Sequence, residues 1–271
     1  MPDSRRRTFL RASGVALLAA VAGCGDSLAE DEIQPSSGEP TADAASTATD
    51  APTDASTDAS TDGPASTDGG ANLRVIHAVP DAPNFDVVIF GDAALKDETF
   101  RQVSQYLYLG AEQTDLKLVA TGGAGNVLFD ESLDLDVASY TGVALGEQGS
   151  DTNRDLQFRL FEENLSLPDE GSARLRFVNA APDSSGLQVV AADGDETVFD
   201  GVGYGRAATT TLSAGMHQLE VRPADGGDAV TTTEVRLDSR GVYSAFGMGY
   251  VDPSDAPTDA PFEVTLTEDG D

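Results

Sequence analysis

Chemistry in this chain has few places to live. His77 and Asp81 stand four residues apart, on either side of Ala78-Val79-Pro80, and a His-Asp pair of that kind serves as a general base in many sites. The stretch that holds them, Leu73-Arg-Val-Ile-His-Ala-Val-Pro-Asp-Ala-Pro83, has a second copy at Leu175-Arg-Phe-Val-Asn-Ala-Ala-Pro-Asp-Ser-Ser185. There Asn179 replaces the histidine. A base would be lost by that exchange, whereas a side chain that bonds backbone would survive it. His77 is therefore expected to be structural, with Asp81 and Asp183 capping the Pro-Asp turns. His217 has no counterpart in the first copy and is expected on a strand surface.

Other chemistry is sparse. Cys24 is the single cysteine, so no intrachain disulfide or thiolate cluster can form. Two histidines are too few for a zinc site without carboxylate help. Asp151-Thr-Asn-Arg-Asp155 begins like a calcium loop, but Leu156 stands where glycine is required and no glutamate closes it. No nucleophile elbow, phosphate loop or zinc motif occurs. The reading is that there are no catalytic residues, no cofactor and no metal, and that the protein is not an enzyme. Asn164-Leu-Ser166 is a glycosylation sequon between the two repeats, which marks Asn164 as a candidate modification site.

Composition narrows the partners. There are 47 acidic against 16 basic residues, a formal net charge of -31, and only Lys96 and Lys117 among the bases are lysine. Such a surface repels nucleic acid and anionic membranes. In molar salt the Debye length falls to about 3 Å, so the self-repulsion is screened. The balance reads as halophilic, with an ordinary acidic secreted protein as the other reading.

The N-terminus reads as an export signal. Arg6 and Arg7, followed by Thr8-Phe9-Leu10, fit the twin-arginine pattern. The apolar run from Gly14 to Ala22 is shorter than the roughly 20 residues that cross a membrane and suits a signal peptide. Val21-Ala22-Gly23-Cys24 resembles a lipobox. That resemblance implies a two-chain lipid on Cys24, a mature chain that starts there, and tethering to the outer face of the cytoplasmic membrane. From 24 to 71 the chain is nearly all Asp, Ser, Thr, Ala, Pro and Gly, with too little apolar surface to offset the entropy of folding. A disordered, charge-extended spacer is expected there.

Beyond the spacer, short alternating runs separated by Pro-Asp, Gly-Asp and Gly-Gly punctuation predict strands. In the first repeat they cover Leu73–Val79, Phe85–Phe90, Tyr106–Leu109, Leu116–Ala120, Val127–Leu135, Tyr140–Leu145 and Leu156–Phe161. In the second they cover Leu175–Ala181, Leu187–Ala191, Thr209–Leu212, Gln218–Val221, Val230–Leu237, Val242–Met248 and Phe262–Leu266. Phe100 and Val103 are aligned with Phe199 and Val202. The fold class is all-β: two tandem immunoglobulin-like β-sandwich domains, 72–167 and 172–271, behind signal (1–23) and spacer (24–71). Tyr140 and Tyr243 stand where a tyrosine corner would sit.

Val-Ile-His-Ala-Val-Pro-Asp-Ala-Pro, then Phe-Asp-Val-Val-Ile and Tyr-Thr-Gly-Val-Ala-Leu-Gly, resemble the family called domain of unknown function 4397, in two copies. The first repeat matches more closely; the second has Asn179 for the usual histidine and Ser-Ser for Ala-Pro. The resemblance implies an extracytoplasmic β-sandwich and brings no activity. These readings together predict a lipid-anchored, monomeric surface protein for recognition, adhesion or envelope structure, with an extracellular protein or glycan as partner. The alternative is a solute-binding lipoprotein with a pocket at the interdomain seam or a sandwich end, lined by Tyr106, Tyr108 or Tyr204.

Overall fold

The computed structural model describes residues 69–122, 125–149, 154–192 and 196–270. The signal, Cys24 and nearly all of the spacer lie outside the described residues.

Two bodies of the same design follow one another. The first contains β1 (Gly70–Ala78), β2 (Phe85–Ile89), β3 (Asp92–Glu98), β4 (Leu107–Gly110), β5 (Gln113–Ala120), β6 (Val127–Asp134), β7 (Ser139–Leu145) and β8 (Gln157–Glu162). The second contains β9 (Ser172–Asn179), β10 (Gly186–Ala191), β11 (Thr197–Gly203), β12 (Arg206–Ser213), β13 (Gly215–Pro223), β14 (Thr231–Leu237), β15 (Val242–Met248) and β16 (Glu263–Glu268). The sheets run β4-β1-β7-β8 and β3-β2-β5-β6 in the first body, β12-β9-β15-β16 and β11-β10-β13-β14 in the second. Each body is thus a sandwich of two four-stranded sheets. The central pairs β1–β7 and β9–β15 are parallel, and the other ladders are antiparallel.

Each body has eight strands rather than seven. β3 and β11 both sit on a sheet edge, and β3 escapes the sequence pattern because its residues, Asp-Ala-Ala-Leu-Lys-Asp-Glu, carry little β propensity, while β11 is interrupted by Asp200-Gly201 and ends on Gly203. Pairing with β2 makes β3 a strand. The turn before it, Phe90-Gly91, holds both residues at positive φ (50° and 90°), the type I′ geometry that matches strand twist.

The registers also correct one alignment. Leu95 faces Val87 as Phe199 faces Val189, and Glu98 faces Phe85 much as Val202 faces Leu187. Phe199 is therefore the counterpart of Leu95, and Phe100 corresponds to Tyr204. The amides of the next residues, Arg101 and Gly205, confirm the offset by donating to His77 O and Asn179 O, both at 2.8 Å. By sequence Phe100 pairs with Phe199 because both are phenylalanines; only the register of β3 on β2 and of β11 on β10 separates them.

Alternation along the central strands sends side chains into two different cores. Leu73, Val75, Tyr140 and Ala144 face the interior of the first sandwich; Leu175, Phe177, Tyr243 and Ala245 face that of the second. Their neighbours Ile76, Ala78, Val143, Leu145, Val178, Ala180, Phe246 and Met248 form a third cluster, in which the β1–β7 face of one body packs on the β9–β15 face of the other. All seven residues of β7 and all seven of β15 are buried. Strands covered on both faces read as continuous apolar runs rather than alternating ones.

Candidate functional site

His77 is fully buried on the inner side of β1. Its ring stacks on Phe85 at 4.4 Å, its Nδ1 accepts the Val79 amide at 3.3 Å, and its Nε2 lies 3.2 Å from Pro83 O. Burial drives its pKa down to about 4 despite the bond to Pro83. Asn179 does the same work in the second body: its Oδ1 accepts the Ala181 amide at 3.1 Å while Nδ2 donates to Val202 O and Ser184 Oγ.

The aspartates are capping residues, but of other loops than expected. The Asp81 carboxylate accepts the amides of Gln148 and Gly149, after β7, and Asp183 accepts those of Val251 and Asp252, after β15. Pinning the start of one loop to the exit of a neighbouring strand closes that end of each sandwich. Asp81 therefore spends its lone pairs on backbone amides, not on His77.

The charged centre of the molecule lies where two sequence-identical positions meet. Arg74 and Arg176, the second residue of each repeated stretch, both point into the seam and are 2% and 7% exposed. Arg74 Nε donates to Thr141 Oγ1 at 3.0 Å and Nη1 to Glu268 O at 3.0 Å; Nη2 pairs with Glu163 at 3.0 Å and with Asp269. Arg176 repeats the pattern with Ser244 Oγ at 2.8 Å and Glu162 O at 3.2 Å, and also donates to Thr141. Its distances to Glu163 and Asp269 are longer, 3.7 Å each. The hydroxyls of Thr141 and Ser244 donate hydrogen bonds to Glu163 and Asp269, respectively. Two cations and two anions, each body supplying one of either sign, thus close a buried network with near two-fold symmetry.

Burial works against both guanidinium charges. At Arg74 the carboxylates of Glu163 and Asp269 outweigh it and the pKa is raised; at Arg176 burial prevails over them and the pKa is lowered. Both remain cationic, as arginine does in proteins generally. Tyr106 completes the first body's side, its ring 5.2 Å from the Arg74 guanidinium. Its hydroxyl donates to Glu163 at 2.6 Å and accepts the Gly270 amide at 3.2 Å. Burial, with the neighbouring carboxylate, raises its pKa.

Beyond the other end of β7, Tyr250 donates to Glu147 at 3.0 Å across the seam, and Arg101 reaches Glu263 at 3.1 Å and Pro261 O. Nothing in these networks is a nucleophile poised beside a base. They fix the orientation of the two bodies.

Of the residues singled out by sequence, Arg6, Arg7 and Cys24 lie outside the described residues, as do Asp151 to Asn153 of the calcium-like loop. Asn164 is exposed, its Oδ1 accepting the Ser166 amide and its carbonyl accepting Arg174 Nη1 at 2.9 Å. His217 is half-buried on β13 with Nε2 2.7 Å from Ser213 O. Tyr140 and Tyr243 accept the amides of Asp136 and Asp238 through their hydroxyls, the tyrosine-corner arrangement. The three candidate pocket tyrosines do not converge. Tyr106 is locked in the seam, Tyr108 is 61% exposed, and Tyr204 lies beyond the other end of β7 under the Arg154 guanidinium, 4.2 Å from its ring, with its pKa pushed up to about 12 by burial.

Arg74 and Arg176 are the residues that sequence reading passed over. Their signal was present: an arginine at the same place in two otherwise apolar strands. Among the described residues no group of three or more His, Cys, Asp or Glu side chains is arranged to hold a metal.

Residues 71–190 match the model of the family described as Domain of unknown function (DUF4397), a span that runs from β1 through the first body into β10. No curated protein matches the chain. Among solved structures, the C-terminal domain of AlgF from P. aeruginosa is similar at 16% identity and TM-score 0.27, covering 37% of this chain and 99% of that one. A family 26 carbohydrate-binding module from Eubacterium rectale Amy13K, in complex with maltoheptaose, is similar at 11% identity and TM-score 0.24, covering 73% and 96%. A streptococcal virulence factor described as binding α-glucan gives 14% identity and TM-score 0.23, covering 68% and 95%.

Proposed function

We propose that this is an exported, lipid-anchored surface protein in which two β-sandwich bodies, the second a diverged copy of the first, act as one non-catalytic head. The observation that carries the reading is the seam. Its arginines, carboxylates and hydroxyls are bonded to one another, so the charged residues of the interior hold the bodies together and leave recognition to the outer sheets and loops. Arg6, Arg7 and the Val-Ala-Gly-Cys24 stretch support twin-arginine export and lipidation; the Asp/Ser/Thr spacer supports a stalk between anchor and head. The net charge of -31 favours a neutral glycan or a basic protein surface as partner over nucleic acid, and supports a saline habitat.

The solute-binding alternative keeps one supporting observation. A groove of about 300 Å³ lies at the end of the second sandwich, lined by Met216, Leu237, Arg236 and Asp238 among others, at the lower limit of an organic-ligand site. Two measurements separate the readings. Mass spectrometry of the mature protein should find a lipid-modified Cys24 at the N-terminus; an unmodified start elsewhere removes the anchor. Envelope polymers and proteins captured by the full chain at high salt should be displaced by soluble fragments of the same material. Binding abolished by Met216→Arg alone would instead place the ligand in the groove.

A further inference from the structure

An edge strand presents a row of unpaired amides and carbonyls, and proteins protect such edges with charge, shortness or a bulge. Most edges of this molecule follow that rule. β3, β6, β8, β11, β14 and β16 each carry an aspartate or glutamate. β4 is uncharged but only 4 residues long. β12 has neither protection. It runs for 8 residues, Arg-Ala-Ala-Thr-Thr-Thr-Leu-Ser, without an acid, a glycine or a proline, and its register on β9 is unbroken. The chain has 47 acidic residues and places none of them on this strand.

The ladder shows which backbone groups lie on the free side. Ala214 N donates to Gly171 O in register with the β12–β9 pairs, so by antiparallel alternation Leu212, Thr210, Ala208 and Arg206 turn their amides and carbonyls toward β9. Ala207, Thr209 and Thr211 turn theirs away. These three residues are exposed, and among the described residues no strand pairs with that side of β12.

The strand fits a reversed copy of itself. With a two-fold axis at Thr210, Thr209 faces Thr211 of the second copy in hydrogen-bonded pairs, Ala208 faces Leu212, Ala207 faces Ser213 and Arg206 faces Ala214. No charge meets a like charge, and cross-strand threonine pairs are favourable. The chain's own spacer matches less well: Asp50, Asp54, Asp58 and Asp62 recur every fourth residue, and Pro52 and Pro64 lack the amide that a ladder needs.

We propose that β12 is a self-association surface, through which two copies of this chain join edge to edge and antiparallel. The sheet β12-β9-β15-β16 then becomes half of a continuous sheet across the dimer, in place of the monomer expected from sequence. One strand pair buries less than the roughly 1,600 Å² of a standard interface, so the dimer is weak and reversible. The net charge of -31 on each copy opposes it in dilute buffer, and molar salt screens that repulsion.

Sedimentation of the full chain in molar sodium chloride, over a concentration series reaching about 1 mM, should show the mass rising towards twice that of the monomer. Amide exchange at Ala207, Thr209 and Thr211 should slow about tenfold over the same series. Thr209→Pro removes an outward amide without taking a bond from the β9 ladder, and should stay monomeric throughout. If that variant does not fold, the wild-type exchange pattern decides. A monomer at every concentration overturns the proposal, and so does a dimer whose β12 amides exchange as fast as those of the monomer. Protection that is independent of concentration also overturns it and assigns the edge to the spacer. Protection that appears only with envelope extract overturns it in favour of a strand from another protein.

Discussion

A buried histidine with asparagine as its counterpart shows what that position needs: one acceptor for the amide two residues on, and one further polar contact. Both residues supply these, but only His77 can titrate. Its pKa is about 4 in the fold against an ordinary value of 6.5, so between those values the unfolded chain binds a proton that the folded chain refuses. The contribution to stability is full above pH 6.5 and is lost as the pH falls through this window, up to about 3 kcal/mol. His77→Asn should remove that acid sensitivity while preserving the backbone bond. Urea unfolding at pH 7 and at pH 4.5 checks it: the wild type should lose more stability between the two than the variant does.

At the scale of the element, the central strands are constrained on both faces. β7 and β15 each contain a glycine where an aromatic crosses, Phe158 of β8 over Gly142 and Phe262, just before β16, over Gly247. A Cβ at Gly142 would land on the ring of Phe158 and 3.2 Å from Leu73 Cδ1; one at Gly247 would lie 2.6 Å from Phe262 Cζ and 3.1 Å from Phe177 Cζ. Gly142→Ala or Gly247→Ala should therefore cost about 1–3 kcal/mol by overpacking. Chemical denaturation measures the loss, and trimming the aromatic in Gly142→Ala/Phe158→Leu should recover part of it. Edge strands behave differently. β3 was hidden because an edge strand of alanine, lysine and acids is defined by its hydrogen-bonded neighbour rather than by side-chain preference. The tyrosine corners were legible because the tyrosine, its place at the start of β7 and β15 and the turn before it are all local.

For the whole molecule, the electroneutral seam holds together a chain of strongly negative charge. Arg74→Ala would leave Glu163 and Asp269 buried without their nearest cation, at a cost of about 3–5 kcal/mol. Arg176→Ala should cost less, because Arg176 stands farther from both carboxylates. Equilibrium unfolding of the two variants at one salt concentration tests the ranking; equal losses would mean that the network is not organised around Arg74. Lowering the salt should destabilise the wild type through surface repulsion while leaving the difference between it and Arg74→Ala nearly constant, since a buried pair is screened far less than an exposed one.

What the sequence determined by itself was local or repeated: strand periodicity, the tandem design, the Pro-Asp turns, the tyrosine corners and the structural role of His77, which Asn179 revealed by comparison. Each depends on residues near one another in the chain or on one copy set against the other. Only the tertiary structure decided what the two copies do to each other. Alternation shows that Arg74, Ile76 and Ala78 share a face of β1, and that Arg176, Val178 and Ala180 share a face of β9. It does not show that these faces meet, because packing between sheets distant in sequence is set by shape and charge summed over both surfaces.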